Sequence, residues 1–467
     1  MRRVRHPLLA IVLTVTAALA ASPAAAALPP PARLAASVPP SAAPAPAPGE
    51  YRGTLASGAT WLGHIPERWN GTVLLFAHGF GALRAQDAPN DQVRDLLLAE
   101  GYATVGSSYS GPTLWALESA LDDQSAALAA FTDVLGHEPR RTIAIGQSMG
   151  GLVSARQAHQ PRGVIDGALT TCGIVAGGLN LNNYQLDGLH ALTELLAPGR
   201  DIPLVRYTSP EQAAQAAADI TALVVDAQTT PAGRARIALA AAFFNLTGWV
   251  RGETRPAPRD YIAQQEHQYR ILTSGALNRY VTARQQIELS AGGNSAFNKD
   301  VDYRALLASS AQSVQVTALY RTAGLDLRAD LKRLTGTADI TADPWAVTDL
   351  SRSSMPNGSL RVPHLEIHTI ADELVPVEQV DWYAEHARYH PDRFRSLFVN
   401  TSGHCAFLPS EYLTALHALE RRIRTGHWPS LRPADLSEAG ADYPGGQPRF
   451  IRFTPTRLVG GLAEPGR

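Results

Sequence analysis

Gly146-Gln147-Ser148-Met149-Gly150 carries the sharpest chemical signal in the chain. A G-x-S-x-G match alone is weak, and its value comes from its flanks. Arg141-Thr142-Ile143-Ala144-Ile145 reads as a buried strand, and Met149 to His159 as a helix. A strand-to-helix hinge at Ser148 forces a strained turn and lifts the hydroxyl above the sheet edge. The helix dipole there favours developing negative charge. The plainer reading of Ser148 is a helix cap.

A hydroxyl becomes a nucleophile only when a base takes its proton. Of the fourteen histidines, His404 is the best placed, in Thr401-Ser402-Gly403-His404-Cys405 after the last strand-like run. The preceding glycine leaves its imidazole room to reach across the sheet edge. An acid must then hold the imidazole in one tautomer. Asp372, in Thr369-Ile370-Ala371-Asp372-Glu373-Leu374-Val375-Pro376, is the choice, with Glu373 beside it and Asp381 farther off as alternatives. Only a neutral imidazole can accept the proton, so activity is expected to rise with pH. Two backbone N–H groups should face the charge on the acyl oxygen. Met149, directly after the serine, supplies one. Phe80, in His78-Gly79-Phe80-Gly81, supplies the other.

These residues need elements to position them. Short strands are expected over Tyr51 to Gly58 and Thr60 to Ile65, and an apolar strand over Thr72 to Phe76. A helix (Gln92 to Gly101), a strand (Tyr102 to Ser107), a long helix (Leu114 to Gly136) and a strand (Val164 to Thr171) complete the first half. The alternation resumes at Val362 to His368, Val377 to His386, Phe394 to Val399 and Pro409 to Thr425. Strands alternating with helices at this spacing give an α/β fold with a mainly parallel sheet. Between the halves only helical segments are found: Gln185 to Leu196, Pro210 to Gln228, Ala232 to Leu246, Tyr261 to Leu289 and Tyr303 to Ala323. The expected organisation is a core at 49–175 and 356–430, a helical lid inserted at 176–355, and a surface-wrapping tail at 431–467. Phe243, Phe244, Trp249, Tyr261, Tyr269 and Tyr280 are expected to hold the lid helices together. Tyr109 and Trp115 are expected at the site edge, lining an acyl pocket.

The termini and composition narrow the class. Arg2, Arg3 and Arg5 precede an apolar run from Leu8 to Ala21 and then Ala24-Ala25-Ala26, the pattern of a secretory signal over 1–27. Residues 28–48 are almost all Ala, Pro and Ser and read as a tether. No other stretch is long and apolar enough to span a bilayer. Lys+Arg is 41 against Asp+Glu 42, so no basic surplus points to nucleic acid. No cluster with metal-ligand spacing calls for a metal, and no cofactor is implied.

The His78-Gly79-Phe80-Gly81 strand end, the Ser148 elbow, the Asp372-Glu373-Leu374-Val375-Pro376 turn and Gly403-His404 together resemble the α/β-hydrolase superfamily of serine hydrolases. The likeness covers about residues 50–175 and 355–425. It implies a sheet of eight mostly parallel strands and a two-step acyl-enzyme mechanism. It says little about substrate, because esterases, lipases, polyester depolymerases and peptidases share it.

Cys172, at the end of a strand, and Cys405, beside His404, should both stand at the carboxyl edge of the sheet. An exported chain would pair them, pinning the histidine loop; two free thiols are the alternative. Tannase and fungal-type feruloyl esterases also carry a cysteine after the histidine. They pair it with one before the nucleophile, where this chain has Gln147. The expected function is a secreted hydrolase of small or polymeric carboxylic esters. A peptidase or amidase of the same fold, or a silent binding protein, are the rivals.

Overall fold

The central strands carry continuous apolar runs because both their faces are covered. In the computed structural model, which describes residues 47–81, 83–161 and 163–462, β1 (Gly49–Thr54), β2 (Thr60–Ile65) and β3 (Thr72–Ala77) lead the chain. Then come α1 (Asp91–Ala99), β4 (Ala103–Ser107), α2 (Leu117–Leu135), β5 (Arg141–Gln147), α3 (Met149–Gln157) and β6 (Gly167–Thr171). The expected leader and all but the last two residues of the expected tether lie outside the described residues. Among the described residues no helix is long and apolar enough to cross a membrane.

Nine helices follow before the sheet resumes: α4 (Gly178–Leu196), α5 (Pro210–Ala227), α6 (Pro231–Phe243), α7 (Tyr261–Ile271), α8 (Leu277–Ala291), α9 (Tyr303–Ser309), α10 (Ser313–Ala323), α11 (Leu327–Thr337) and α12 (Pro344–Ser354). The chain closes with β7 (His364–Ala371), α13 (Glu378–His386), β8 (Phe394–Ser402), α14 (Pro409–Thr425), α15 (Pro433–Ala439) and β9 (Phe450–Ile451).

The sheet has nine strands in the order β1-β2-β4-β3-β5-β6-β7-β8-β9, one more than the resemblance implies. The six strands from β4 to β8 run parallel; β1, β2 and β9 are antiparallel to their neighbours. The additional strand is β9, two residues of tail added to the β8 edge. Strand order reverses at β3, between β4 and β5. Such a switch point opens a crevice at the carboxyl ends of the strands.

The insertion packs around α4, which is buried over nearly its whole length despite its polar residues. Its neighbours satisfy them in part, leaving Asn182 Oδ1 and Asn183 Nδ2 without a hydrogen bond among the described residues. Asn182 donates to Ser295, Asn183 accepts from the Phe297 amide, and the Tyr303 hydroxyl donates to Asp187. A helix covered all round shows no amphipathic period, so the expected start at Gln185 falls a turn or two late. The expected single helix over Tyr261 to Leu289 is divided by a π-turn at Leu272–Ala276, where Gly275 has φ of 126°. The one over Tyr303 to Ala323 breaks at Ser310, which is extended.

The tail does more than wrap the surface. Leu458 and Val459 are buried, and Val459 exchanges backbone hydrogen bonds with the Asn245 side chain at 2.8 and 3.0 Å. The Leu462 amide donates to Asn180 on α4. Core and insertion share one compact unit, Ala45–Arg467.

Candidate active site

Ser148 sits between β5 and α3 with φ 59° and ψ −121°, a conformation disfavoured for any residue with a Cβ. Packing enforces it. A Cβ on Gly146 would lie 1.9 Å from the Gly150 carbonyl oxygen, and one on Gly150 would lie 1.9 Å from that of Ala77. Only glycine lets the strand, the helix and β3 approach so closely. The Ser148 amide donates to Thr171 at 3.0 Å, tying the turn to β6.

His404 follows β8. Its loop is fixed to β7 by the Gly403 amide donating to Ala371 and by Thr369 Oγ1 donating to the Gly403 carbonyl. Gly403 has φ of 103°, which its place in this bend requires. The Ser148 hydroxyl donates to His404 Nε2 across 2.8 Å, and His404 Nδ1 donates to Asp372 at 2.8 and 3.0 Å. Asp372 also accepts from the Leu374 and Val375 amides, each at 2.9 Å. Its side chain is fully covered, whereas His404 keeps 18% exposure. Burial opposes the Asp372 charge, but His404 and His368 outweigh it and hold this carboxyl below its ordinary range. Glu373 and Asp381 do not take this place.

Met149 is the first residue of α3, so its N–H has no acceptor within the helix. Phe80 lines the cleft above Ser148. Trp115 lines it too, and its indole N–H donates to Ser354 at the end of α12. Tyr109 does not. It is buried behind the wall, stacked on His78 at 4.2 Å with its hydroxyl donating to the His78 carbonyl. Its position after β4 turns the ring under the His78–Gly81 loop, which it supports. Burial pushes the His78 imidazole down, keeping it neutral.

Cys172 and Cys405 form a disulfide with a Cα separation of 5.3 Å. It joins the end of β6 to the residue after His404. The sulfur atoms and His404 lie within 4.8 Å of one another, but sulfurs bonded to each other offer no thiolate to a metal. Among the described residues, seven non-glycine positions have positive φ. Four of them, Tyr109, Ser148, Cys172 and Cys405, follow the carboxyl ends of β4, β5, β6 and β8. Backbone strain concentrates at this rim.

Two supports escaped the sequence reading. His364, Glu366 and His368 alternate along one face of β7. His368 lies between Glu366 at 2.9 Å and the Val375 carbonyl at 2.9 Å, with Asp372 at 3.9 Å. Burial disfavours its charge, but Glu366 and Asp372 prevail and push the imidazole above its ordinary range. Glu366 also accepts from the Thr170 hydroxyl and from the Gly173 amide at 3.2 Å. The strand period of polar residues in an otherwise apolar run was the available signal. The second support comes from the tail. Arg449 binds both oxygens of buried Glu411 at 2.9 Å and donates to the Ala406 carbonyl, bracing the histidine loop. No local pattern announces a partner from so far along the chain.

The cleft encloses about 320 Å³. Helices α4 and α8 close it from above through Leu181, Gln185, Arg279, Tyr280 and Ala283. The Tyr280 hydroxyl donates to the Glu373 carbonyl, so this aromatic of the insertion reaches the acid loop, while Phe243 and Phe244 pack in the insertion core.

No family model matches the chain. Over 433 residues, 86% of this chain and 93% of the relative, it is 28% identical to o-phthalyl amidase from Xanthobacter agilis. Among solved structures it is similar to an esterase from Aspergillus oryzae (TM-score 0.38, 14% identity, 80% of this chain and 78% of that one). Another is an acylaminoacyl peptidase from Pyrococcus horikoshii (TM-score 0.41, 9% identity, 84% of this chain and 44% of that one). A serine elbow seated on β5 of this sheet, followed along the chain by acid and then base, is the arrangement of the α/β-hydrolase fold, and the chain has that fold.

Proposed function

We propose that the chain is a serine hydrolase that cleaves a small carboxylic ester through an acyl-enzyme on Ser148. The observation that carries this reading is the 2.8 Å contact of the Ser148 hydroxyl with an imidazole whose other nitrogen is held by a buried carboxylate. As Ser148 Oγ attacks the carbonyl carbon, its proton passes to His404 Nε2. The Met149 and Phe80 N–H groups face the oxygen that gains charge; losing one such donor typically costs about 3 kcal/mol of barrier. Collapse breaks the bond to the leaving group, which takes the proton from His404. Water then repeats the sequence, with His404 as base, and frees the acid. Asp372 stays ionised throughout and stabilises the imidazolium.

The likeness to o-phthalyl amidase favours a second reading, an amide substrate carried through the same steps. An amine leaves far less readily than an alkoxide, so that reading asks more of the proton delivered by His404. Export is part of the proposal, supported by the leader-like start and by a disulfide of the kind oxidising compartments keep.

Matched aryl esters and anilides of one acyl group separate the readings. Ester cleavage with negligible anilide cleavage favours the first, and comparable kcat/KM favours the second. Failure on both, with no fluorophosphonate labelling of Ser148, removes the hydrolase reading.

A further inference from the structure

The cleft above Ser148 is unbalanced in charge. Arg84, beyond the Phe80 loop, and Arg279, on α8, both line it and both are exposed, and among the described residues no aspartate or glutamate lines it. Some arginines elsewhere meet carboxylates, as Arg236 meets Asp330 and Arg449 meets Glu411, and others do not. Arg84 and Arg279 make no ion pair among the described residues. A third arginine packs against the histidine loop. The stem of Arg251 packs on Gly403, where a Cβ would come within 2.6 Å of its Cδ, beside His404. On its far side Arg84 borders a wider cleft of about 640 Å³ that includes Asp87 and Asp91, but none of Ser148, His404 and Asp372 lines that one.

The apolar part of the lining is Phe80, Trp115, Ile174, Leu181 and Leu374. Cations left unpaired at the mouth of an apolar cleft repel one another and attract an anion. The planar fork of a guanidinium matches a carboxylate in particular.

We infer that Arg84 and Arg279 form an anion-recognition site that selects substrates carrying a carboxylate on a compact apolar body. The inference rests on the hydrolase reading and adds the substrate class. The carboxylate reaches the arginines either from the acyl part or from the leaving group.

Two matched pairs test this. For the acyl side, nitrophenyl esters of para-carboxybenzoic and para-carbamoylbenzoic acid are compared. For the leaving-group side, para-acetoxybenzoate is compared with para-acetoxybenzamide. In one pair kcat/KM should favour the charged member by about tenfold or more at low salt. That preference should shrink toward unity near 1 M salt, where the Debye length is about 3 Å. Arg84→Gln with Arg279→Gln should bring the ratio to about one, and Arg279→Glu should invert it. Equal rates within both pairs, or a preference that survives the double substitution, would overturn the inference and leave the hydrolase reading standing. Failure to cleave all four, with Ser148 refractory to fluorophosphonate, would remove both.

Discussion

The two walls of the cleft are held by different physics. The sheet-side wall is over-determined: strained turns after four strands, a disulfide, and charge-assisted hydrogen bonds from His404 to Asp372 and from His368 to Glu366. The helical wall is held by packing around α4 and by a few contacts to the core, such as Tyr280 to Glu373 and Trp115 to Ser354. Its polar tips, Arg279 among them, face solvent. Reacting atoms gain from rigid placement because a small misalignment costs large factors in rate. A selecting surface needs no such constraint. Substitutions on the first wall should therefore cut kcat or unfold the chain, and those on the second should shift substrate preference.

The largest expected effect breaks the sheet-side wall at its acid. Asp372→Asn keeps the shape but presents the wrong partner to His404 Nδ1–H, and kcat should fall about 10⁴-fold. Steady-state kinetics with unchanged thermal unfolding would check this. A fall under tenfold would mean that the acid does not orient the base.

Removing the covalent pin comes next. Cys172→Ser with Cys405→Ser should lower unfolding stability by roughly 2–5 kcal/mol and reduce kcat more than it raises KM. Denaturant melts beside kinetics measure both. An effect on stability alone would detach the disulfide from the placement of His404.

Acid should weaken the sheet side as well. Burial holds His159 at about 4 and His364 at about 3, far below an ordinary histidine. As pH falls below about 6.5 the unfolded chain binds protons that these two buried rings refuse, and stability declines. Each contributes on the order of 1 kcal/mol per pH unit down to its folded value. Glu378, pushed up to about 7 by burial, takes its proton in the folded state first and so opposes the loss between 7 and about 4.5. From these three groups the expectation is a loss of about 1 kcal/mol per unit between pH 6.5 and about 4.5, checked by denaturant melts at stepped pH. A flat profile would contradict the neutral assignment of the two rings.

The helical wall supplies the smallest effect. Tyr280→Phe deletes one hydrogen bond to the acid loop, worth about 1 kcal/mol, and should raise KM a few-fold with kcat nearly constant. A large fall in kcat would place Tyr280 on the sheet-side wall instead.

The sequence announced these walls unequally. Ser148, Asp372 and His404 follow strands whose apolar runs stand out, so local pattern brought all three to one rim. Tyr109 was misplaced because its sequence neighbourhood says only that it follows β4, not that its ring turns under His78. The insertion was half legible. Helix α4 lacks a period because it is buried all round, and α11 and α12 were missed. Arg449 and Val459 depend on partners far along the chain, which no window of neighbouring residues contains.

The central claim is that Ser148 carries the acyl group between the two halves of the reaction. Acid-quenching the enzyme during turnover of a slow ester, followed by mass mapping of its peptides, tests this directly. The account predicts the acyl mass on the peptide containing Ser148, absent in Ser148→Ala. An adduct on another residue, or turnover that persists in Ser148→Ala, would contradict it.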